Sequence, residues 1–174
     1  MKRRVVGELI LEVGCGTTLK EVNHSKERYR APFRPKVNAD VYVDVKKPEL
    51  NVENFIVADA QRLPFKSKAF MDVYASHLIE HLSNPLAFLK EARRVSQGAL
   101  HLWLPNFFGE NAWKDPTHLH AFSYYSLKKL LRKAGYSWIH VENVNISGRL
   151  PKLVRKIFTH LMLILIEELQ IEAL

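Results

Sequence analysis

Glycine and polar residues come directly after several short apolar stretches of this 174-residue sequence. A glycine that follows a buried strand lets the backbone approach a ligand closely. In parallel sheets the ligand lies beyond the carboxyl ends of the strands, where such residues would meet. The residues at these ends are Gly14, Gly16, Asp44, Asp59, Ser76, His77, Pro105 and Asn106. Their shared position predicts a single ligand site at one edge of a sheet.

Hydrophobic patterning predicts the elements that would position these residues. Apolar or alternating stretches indicate strands over 8–13, 41–44, 54–58, 70–75, 99–104, 138–144 and 169–174. Ser83 or Asn84 would cap a helix that has proline in its first turn. Ser126 would cap a second helix that ends at Gly135, and 151–166 would form an amphipathic third. Strands separated by helices or long crossovers predict a doubly wound α/β fold, a mostly parallel sheet with helices on both faces.

The glycine turn fits two common nucleotide-binding motifs poorly. A phosphate-binding P-loop needs a lysine and Ser/Thr after its last glycine, but Gly16 is followed by Thr-Thr-Leu. A dinucleotide site expects a third glycine where Leu19 stands and an acid about 20 residues after the motif. No acid lies between Glu27 and Asp40, so this alternative is weak as well.

Four motifs in order resemble one known family. They are "LEVGCGTT", "VYVDV", "VADAQRLPF" and the segment from "FMDVYASHLIEHL" to "HLWLPN". Together they are similar to the class I S-adenosylmethionine-dependent methyltransferases, type 11 subgroup, over residues 8–136. The resemblance implies a Rossmann-like fold, S-adenosyl-L-methionine as cofactor and S-adenosyl-L-homocysteine as product.

The resemblance also implies a role for each motif residue. A carboxylate at Asp44 would accept hydrogen bonds from both ribose hydroxyls, and Asp59 would accept one from the adenine amino group. Ala60 would offer its backbone N–H to the adenine ring. The methionine portion and the methyl group would lie near the remaining cofactor-binding residues, Glu12, Gly14, Cys15, Gly16, Ser76 and His77.

Histidines are the candidates for a general base, which is needed only if the acceptor must lose a proton. We name His77, His118 and His120 for this role, in no order. Asp115 with His118 and His120 is too thin a pattern for a metal site, so we expect no metal. Glu80 and His81 are expected to serve packing or to lie on the surface.

Bulk properties predict one domain over 1–174 in a reducing, cytoplasmic compartment, because Cys15 is the only cysteine. No apolar run is long enough to span a membrane. The most plausible partner is a small-molecule acceptor, and the apolar C-terminal region suggests a homodimer. A net charge of +8 leaves an RNA-directed methyltransferase open. Thr18, where the family often has glycine, leaves open a cofactor-binding protein without turnover.

Overall fold

A seven-stranded mixed sheet forms the centre of the molecule. The computed structural model describes residues 9–15, 39–48, 52–141, 157 and 161–174. The strand order is β3-β2-β1-β4-β5-β7-β6. In chain order the strands are β1 (Ile10–Val13), β2 (Val41–Asp44), β3 (Phe55–Val57), β4 (Asp72–Ser76), β5 (Leu100–Pro105), β6 (Ile139–Val141) and β7 (Glu168–Ala173).

The first five strands are parallel, whereas β7 runs antiparallel to both β5 and β6. The central strands carry apolar residues that point to both faces: Leu102 and Trp103 are consecutive in β5, so they face opposite sides of the sheet, and both are buried. Continuous apolar runs of this kind are typical of strands covered on both sides. The predicted doubly wound, mostly parallel sheet is therefore confirmed, with strand ends that shift by at most two residues, apart from the end of the sixth strand, whose predicted residues 142–144 lie outside the described residues.

Among the described residues, the helices α1 (Pro85–Val95), α2 (Asn111–Lys114) and α3 (Tyr124–Ala134) connect strands, and residues 161–165 before β7 are helical as well. The side chain of Asn84 caps α1 by accepting a hydrogen bond from the Ala87 N–H, as predicted.

The predicted cap of α3 at Ser126 was wrong. The cap is Ser123, and Ser126 occupies the third helical position of a reciprocal capping box. Both serines therefore satisfy backbone N–H groups that the first turn of a helix leaves without partners. Gly135 ends α3 in the left-handed conformation, at φ 101°.

A buried core joins the sheet to α1 and α3. Phe88 and Leu89 of α1 and Leu127 and Leu131 of α3 are fully buried. A short 3-10 turn at Ile79–His81 connects β4 to α1. None of the described helices is long and apolar enough to cross a membrane. The predicted loop over 23–36, Gly16, and most of the predicted helix over 151–166 lie outside the described residues.

Candidate functional site

The carboxyl ends of β1, β2 and β3 surround a cavity of about 310 Å³, which we call the first cavity. Gly14 follows β1, Asp44 ends β2, and Asp59 and Ala60 follow β3. All four of these predicted site residues line the cavity. The parallel register brings them to one edge of the sheet although up to 46 positions separate them in sequence, from 14 to 60.

Gly14 makes a turn that other residues would enter only with strain. Its φ is +74°, and its N–H donates to the Val43 carbonyl oxygen at 2.8 Å. A Cβ at this position would lie 2.9 Å from the Cβ of Leu78, closer than side chains pack. The glycine is thus required by the chain conformation and by Leu78, as well as by any ligand in the first cavity.

The two acids of the first cavity are held by backbone amides. Asp44 Oδ1 accepts a hydrogen bond from the Lys46 N–H at 3.0 Å. Asp59 Oδ1 accepts from both the backbone and the side chain of Gln61, at 2.8 and 3.1 Å. Among the described residues nothing donates to Asp59 Oδ2, so this oxygen is available to a ligand.

Three other predicted residues are buried beneath the first cavity rather than on its wall. Glu12 and Ser76 are 7% exposed, and Cys15 is fully buried, with its thiol 3.5 Å from the Val43 carbonyl oxygen. Glu12 lies opposite Tyr42 in the sheet. Burial and the nearby negative charge of Glu12 raise the pKa of Tyr42. Gly16 lies outside the described residues.

His77 has an unusual backbone conformation for a residue with a side chain. Its φ is +48°, in the left-handed region. The ring lies between two carboxylates, with Nδ1 3.4 Å from Glu80 Oε1 and Nε2 3.6 Å from Glu168 Oε1. A strained residue at the end of a central parallel strand, between two acids, is typical of a functional position.

A second cavity of about 590 Å³ lies in the long loop between β5 and α3. Its wall contains the predicted residues His118 and His120 together with exposed aromatic side chains such as Phe107 and Trp113. Leu119 lines this second cavity and the first cavity alike. The two spaces are therefore neighbours that share a wall.

The two histidines of the second cavity have different hydrogen bonds. His118 Nδ1 lies 3.1 Å from the Ala112 carbonyl oxygen, and its Nε2 is 3.9 Å from Asp115. His120 instead places Nε2 3.0 Å from the Leu82 carbonyl oxygen. A carbonyl oxygen only accepts, so His120 carries its hydrogen on Nε2 and fastens the loop to the segment after β4.

Comparison with known protein families shows which family this chain belongs to. The model of a family described as "Methyltransferase domain" matches residues 11–101, more than half of the chain. The chain belongs to the class I S-adenosylmethionine-dependent methyltransferases of type 11. The resemblance stated above is thereby confirmed, and the protein is a methyltransferase.

Solved structures share the fold of this methyltransferase at low sequence identity. An S-adenosylmethionine-dependent methyltransferase from Archaeoglobus fulgidus has a TM-score of 0.61 and 19% identity, over 95% of this chain and 85% of its own. One from Thermotoga maritima, described as a possible histamine N-methyltransferase, has a TM-score of 0.63 and 17% identity, over 95% and 81%.

A chain from the complex between the Haloferax volcanii Trm112 methyltransferase activator and its methyltransferase is also similar, with a TM-score of 0.61 and 14% identity. The match covers 97% of this chain and 82% of that one. A comparison with curated proteins finds no match.

Among the residues of the first cavity that were not predicted as site residues are His81 and Leu119. His81 follows β4 by one turn, and Leu119 lies 38 positions further along the chain. Two backbone hydrogen bonds bring the segments together, because Leu119 N–H and His120 N–H both donate to the Glu80 carbonyl oxygen. No sequence signal marks these two bonds, since they involve only backbone groups.

Proposed function

We propose that this methyltransferase binds S-adenosylmethionine in the first cavity and transfers the methyl group to a small molecule in the second cavity. The observation that carries the proposal is the shared wall at Leu119, which puts the two spaces side by side. A methyl donor and an acceptor must be held in adjacent sites for direct transfer between them.

The residues of the first cavity fit the chemical groups of this cofactor. Asp44 would accept hydrogen bonds from the ribose hydroxyls, and the open Oδ2 of Asp59 would accept one from the adenine amino group. The Ala60 N–H would donate a hydrogen bond to the adenine ring, and the Gly14 turn would face the methionine portion. The cofactor itself supplies an activated methyl group on a positively charged sulfur.

The protein's contribution to transfer is then mainly orientation and charge. The cofactor's sulfur loses its positive charge during transfer, so nearby fixed groups affect the barrier. His77, with Glu80 and Glu168 on either side, lies at the end of β4 and would face this region. His118 is the second candidate base, and its hydrogen bond to Ala112 leaves Nε2 able to accept a proton.

The second cavity supports a small-molecule acceptor. Its volume of about 590 Å³ is within the range of sites that enclose small ligands. Aromatic side chains and a few polar groups form its wall, a composition that suits a compact organic molecule better than an extended polyanion. The Thermotoga maritima structure, described as a possible histamine N-methyltransferase, is consistent with this choice.

Calorimetric titration with S-adenosylmethionine and S-adenosylhomocysteine tests the cofactor site. Asp44→Asn keeps the shape of the side chain but removes its charge, and we expect it to weaken binding at least about tenfold, or about 1.4 kcal/mol. Asp40→Asn is the matched control, because Asp40 lies at the opposite end of the same strand and accepts a hydrogen bond from Ile10. Absence of binding, or equal losses in both variants, would refute the proposal.

Acceptor screening then separates the proposed function from its two rivals. Turnover with a panel of small amines, phenols and carboxylic acids supports the small-molecule assignment. Turnover on RNA alone, with binding that weakens steeply as salt is raised, would favour the RNA-directed enzyme. Tight cofactor binding with no turnover on any acceptor would favour a protein that binds without catalysis.

A cytoplasmic location and a homodimer complete the proposal. The single cysteine, Cys15, is buried and has no second cysteine in the sequence with which to form a disulfide, which suits a reducing compartment. Exposed apolar side chains at Ile157, Leu161, Ile164 and Leu165 offer a surface for a second copy. Light scattering after size exclusion should give twice the 20.2 kDa chain mass, and a single-chain mass would refute the dimer.

A further inference from the structure

Three side chains with metal-binding atoms meet at the wall between the two cavities. One possible ligand atom from each of Glu80, His81 and His118 lies within 4.8 Å of the other two. His81 lines the first cavity and His118 lines the second. This cluster shares only His118 with the group of Asp115, His118 and His120, whose spacing in the sequence was insufficient to predict a metal site.

Glu80 is the member whose environment most needs an explanation. Its side chain is 2% exposed, and among the described residues neither carboxylate oxygen accepts a hydrogen bond. The His77 ring lies nearby, with Nδ1 3.4 Å from Glu80 Oε1. A buried carboxylate without hydrogen bonds is costly, and a bound cation is one of the few ways to offset that cost.

Hydrogen bonds fix which nitrogen of His81 is free to bind a metal. The Thr117 hydroxyl donates its only hydrogen to Asp115 Oδ1, 2.6 Å away. Towards His81 Nδ1, 3.1 Å away, this hydroxyl can therefore only accept, and the Thr117 carbonyl oxygen at 3.3 Å accepts as well. The hydrogen of His81 thus sits on Nδ1, and Nε2 carries the lone pair.

The ring of His118 is fixed in the same way. Its Nδ1 lies 3.1 Å from the Ala112 carbonyl oxygen, which only accepts, so Nε2 is again the nitrogen with the lone pair. Metal-binding histidines almost always donate their other N–H to a carbonyl oxygen or a similar acceptor. Both histidines of this cluster have that arrangement, whereas His120 has its hydrogen on Nε2.

The geometry points to a site for a divalent transition-metal ion held by Glu80, His81 and His118. Two imidazoles and one carboxylate suit Zn²⁺ and related ions, and three protein ligands leave a fourth position open. The three ligand atoms lie within 4.8 Å of one another, close enough for all three to reach one ion after small side-chain movements, since ligands lie about 2.0–2.1 Å from Zn²⁺.

The open position suggests what the metal would do. Because the site separates the two cavities, the fourth ligand would be an oxygen of the acceptor, held beside the methyl donor. Coordination lowers the pKa of a hydroxyl, whose proton leaves to water, so with the metal bound His118 is a ligand and does not act as the base. The oxygen then forms the new bond to the methyl carbon as the carbon–sulfur bond breaks and its electron pair stays on sulfur. This role, unlike metal binding itself, rests on the proposed function.

Zinc titration of metal-stripped, tag-free protein tests the site directly. We expect one Zn²⁺ per chain, bound at least tenfold more weakly by His81→Gln, His118→Gln and Glu80→Gln. His120→Gln is the matched control. It also removes a histidine, only two residues from His118, but the Nε2 of His120 donates to a carbonyl oxygen and is not available to a metal. Its zinc affinity should stay within twofold of the wild type.

Thermal melting of each variant guards against loss of folding. If Glu80→Gln fails to fold, His81→Gln decides, because His81 is partly exposed and its loss leaves the core intact. Absence of stoichiometric zinc, or an equal loss of affinity in His120→Gln, would overturn the proposal.

Cofactor titration of the same samples keeps the two proposals distinguishable. Wild-type protein that binds S-adenosylmethionine but takes up no stoichiometric zinc would show that the metal proposal has failed while the cofactor site stands. With a hydroxyl-bearing acceptor, zinc or a related ion should restore turnover to stripped enzyme. Full turnover in the stripped enzyme would refute the catalytic role.

Discussion

The two ends of the parallel strands use carboxylates in opposite ways. At the amino end, Asp40 accepts a hydrogen bond from Ile10 at 2.9 Å, and Asp72 accepts one from Ala99 at 2.8 Å. At the carboxyl end, among the described residues, only one oxygen of Asp59 accepts hydrogen bonds, and neither oxygen of Glu80 does. Acids at the first end stabilise the sheet, whereas acids at the second end keep acceptors available for ligands.

Glycines at the two ends provide the strongest test of this comparison. At Gly14 a Cβ would meet Leu78 and the φ is +74°, so Gly14→Ala should cost about 2–3 kcal/mol of unfolding free energy. At Gly98 a Cβ would lie 2.6 Å from Asp72 Oδ1, so Gly98→Ala should destabilise as well. Urea unfolding measures both losses.

Cofactor affinity then separates the two glycine variants. Only Gly14→Ala should also weaken S-adenosylmethionine binding in the folded protein, because only Gly14 lines the first cavity. A tenfold loss of affinity in Gly98→Ala would contradict the division between the two ends.

Removal of an acid at the amino end should affect stability alone. Asp72→Ala leaves the buried N–H of Ala99 without its acceptor, at a cost of about 1–3 kcal/mol. The urea midpoint should fall accordingly, while the dissociation constant of S-adenosylmethionine stays within twofold. A change in affinity with no change in the midpoint would contradict the assignment.

The pair of Glu91 and Arg94 predicts a pH-dependent contribution to stability. Hydrogen bonds from the Arg94 guanidinium, 2.8 Å away, together with one from the Leu63 N–H, lower the pKa of Glu91. A lowered pKa in the folded state means that the charged form stabilises the protein above the unfolded-state pKa. This stability is lost as the pH falls through the folded-state pKa.

Glu91→Gln should therefore lower the unfolding free energy by about 1 kcal/mol at pH 7, because both groups are partly exposed. The difference in unfolding free energy from the wild type should narrow as the pH falls below the ordinary glutamate pKa of about 4.3, because the folded-state pKa is lower still. Urea midpoints at a series of pH values provide the measurement. A difference in stability that stays constant with pH would show that the charge of Glu91 does not contribute to it.

Two buried serines give the smallest and most specific test. Ser96, at the amino end, donates to the Met71 carbonyl oxygen at 3.2 Å, so Ser96→Ala should cost about 1 kcal/mol. Ser76, at the carboxyl end, has a hydroxyl with no hydrogen bond among the described residues. Ser76→Ala should leave the unfolding free energy unchanged or raise it slightly. Equal losses of unfolding free energy in the two variants would contradict the difference between the two ends of the strands.

Most of the sheet could be predicted from the sequence because its strands are short apolar runs bounded by breakers. Asp44, Asp59 and Gly14 could be placed together for the same reason, since strand ends share one edge in a parallel sheet. The cap of α3 was misplaced by three positions because Ser123 and Ser126 are equally good capping residues. Only the backbone conformation shows which of them begins the helix.

The cluster of Glu80, His81 and His118 could not be predicted, because its members come from segments 37 positions apart. What joins the segments is a pair of backbone N–H groups at 119 and 120, bonded to one carbonyl oxygen at 80. Backbone groups are the same at every residue, so the sequence carries no mark of such a bond. The antiparallel direction of β7 was likewise absent from the patterning, which fixes a strand but not its partner.

The position of β7 also sets an order of events during folding. This strand comes last in the chain order of the described strands, yet it lies between β5 and β6 and pairs with both. Of the described strands only β7 pairs with β6, so β6 leaves the ribosome earlier but must wait for residues 168–173 before it can join the sheet. Until then the edge of β5 that β7 later covers has unpaired backbone groups, a feature that favours aggregation of incomplete chains.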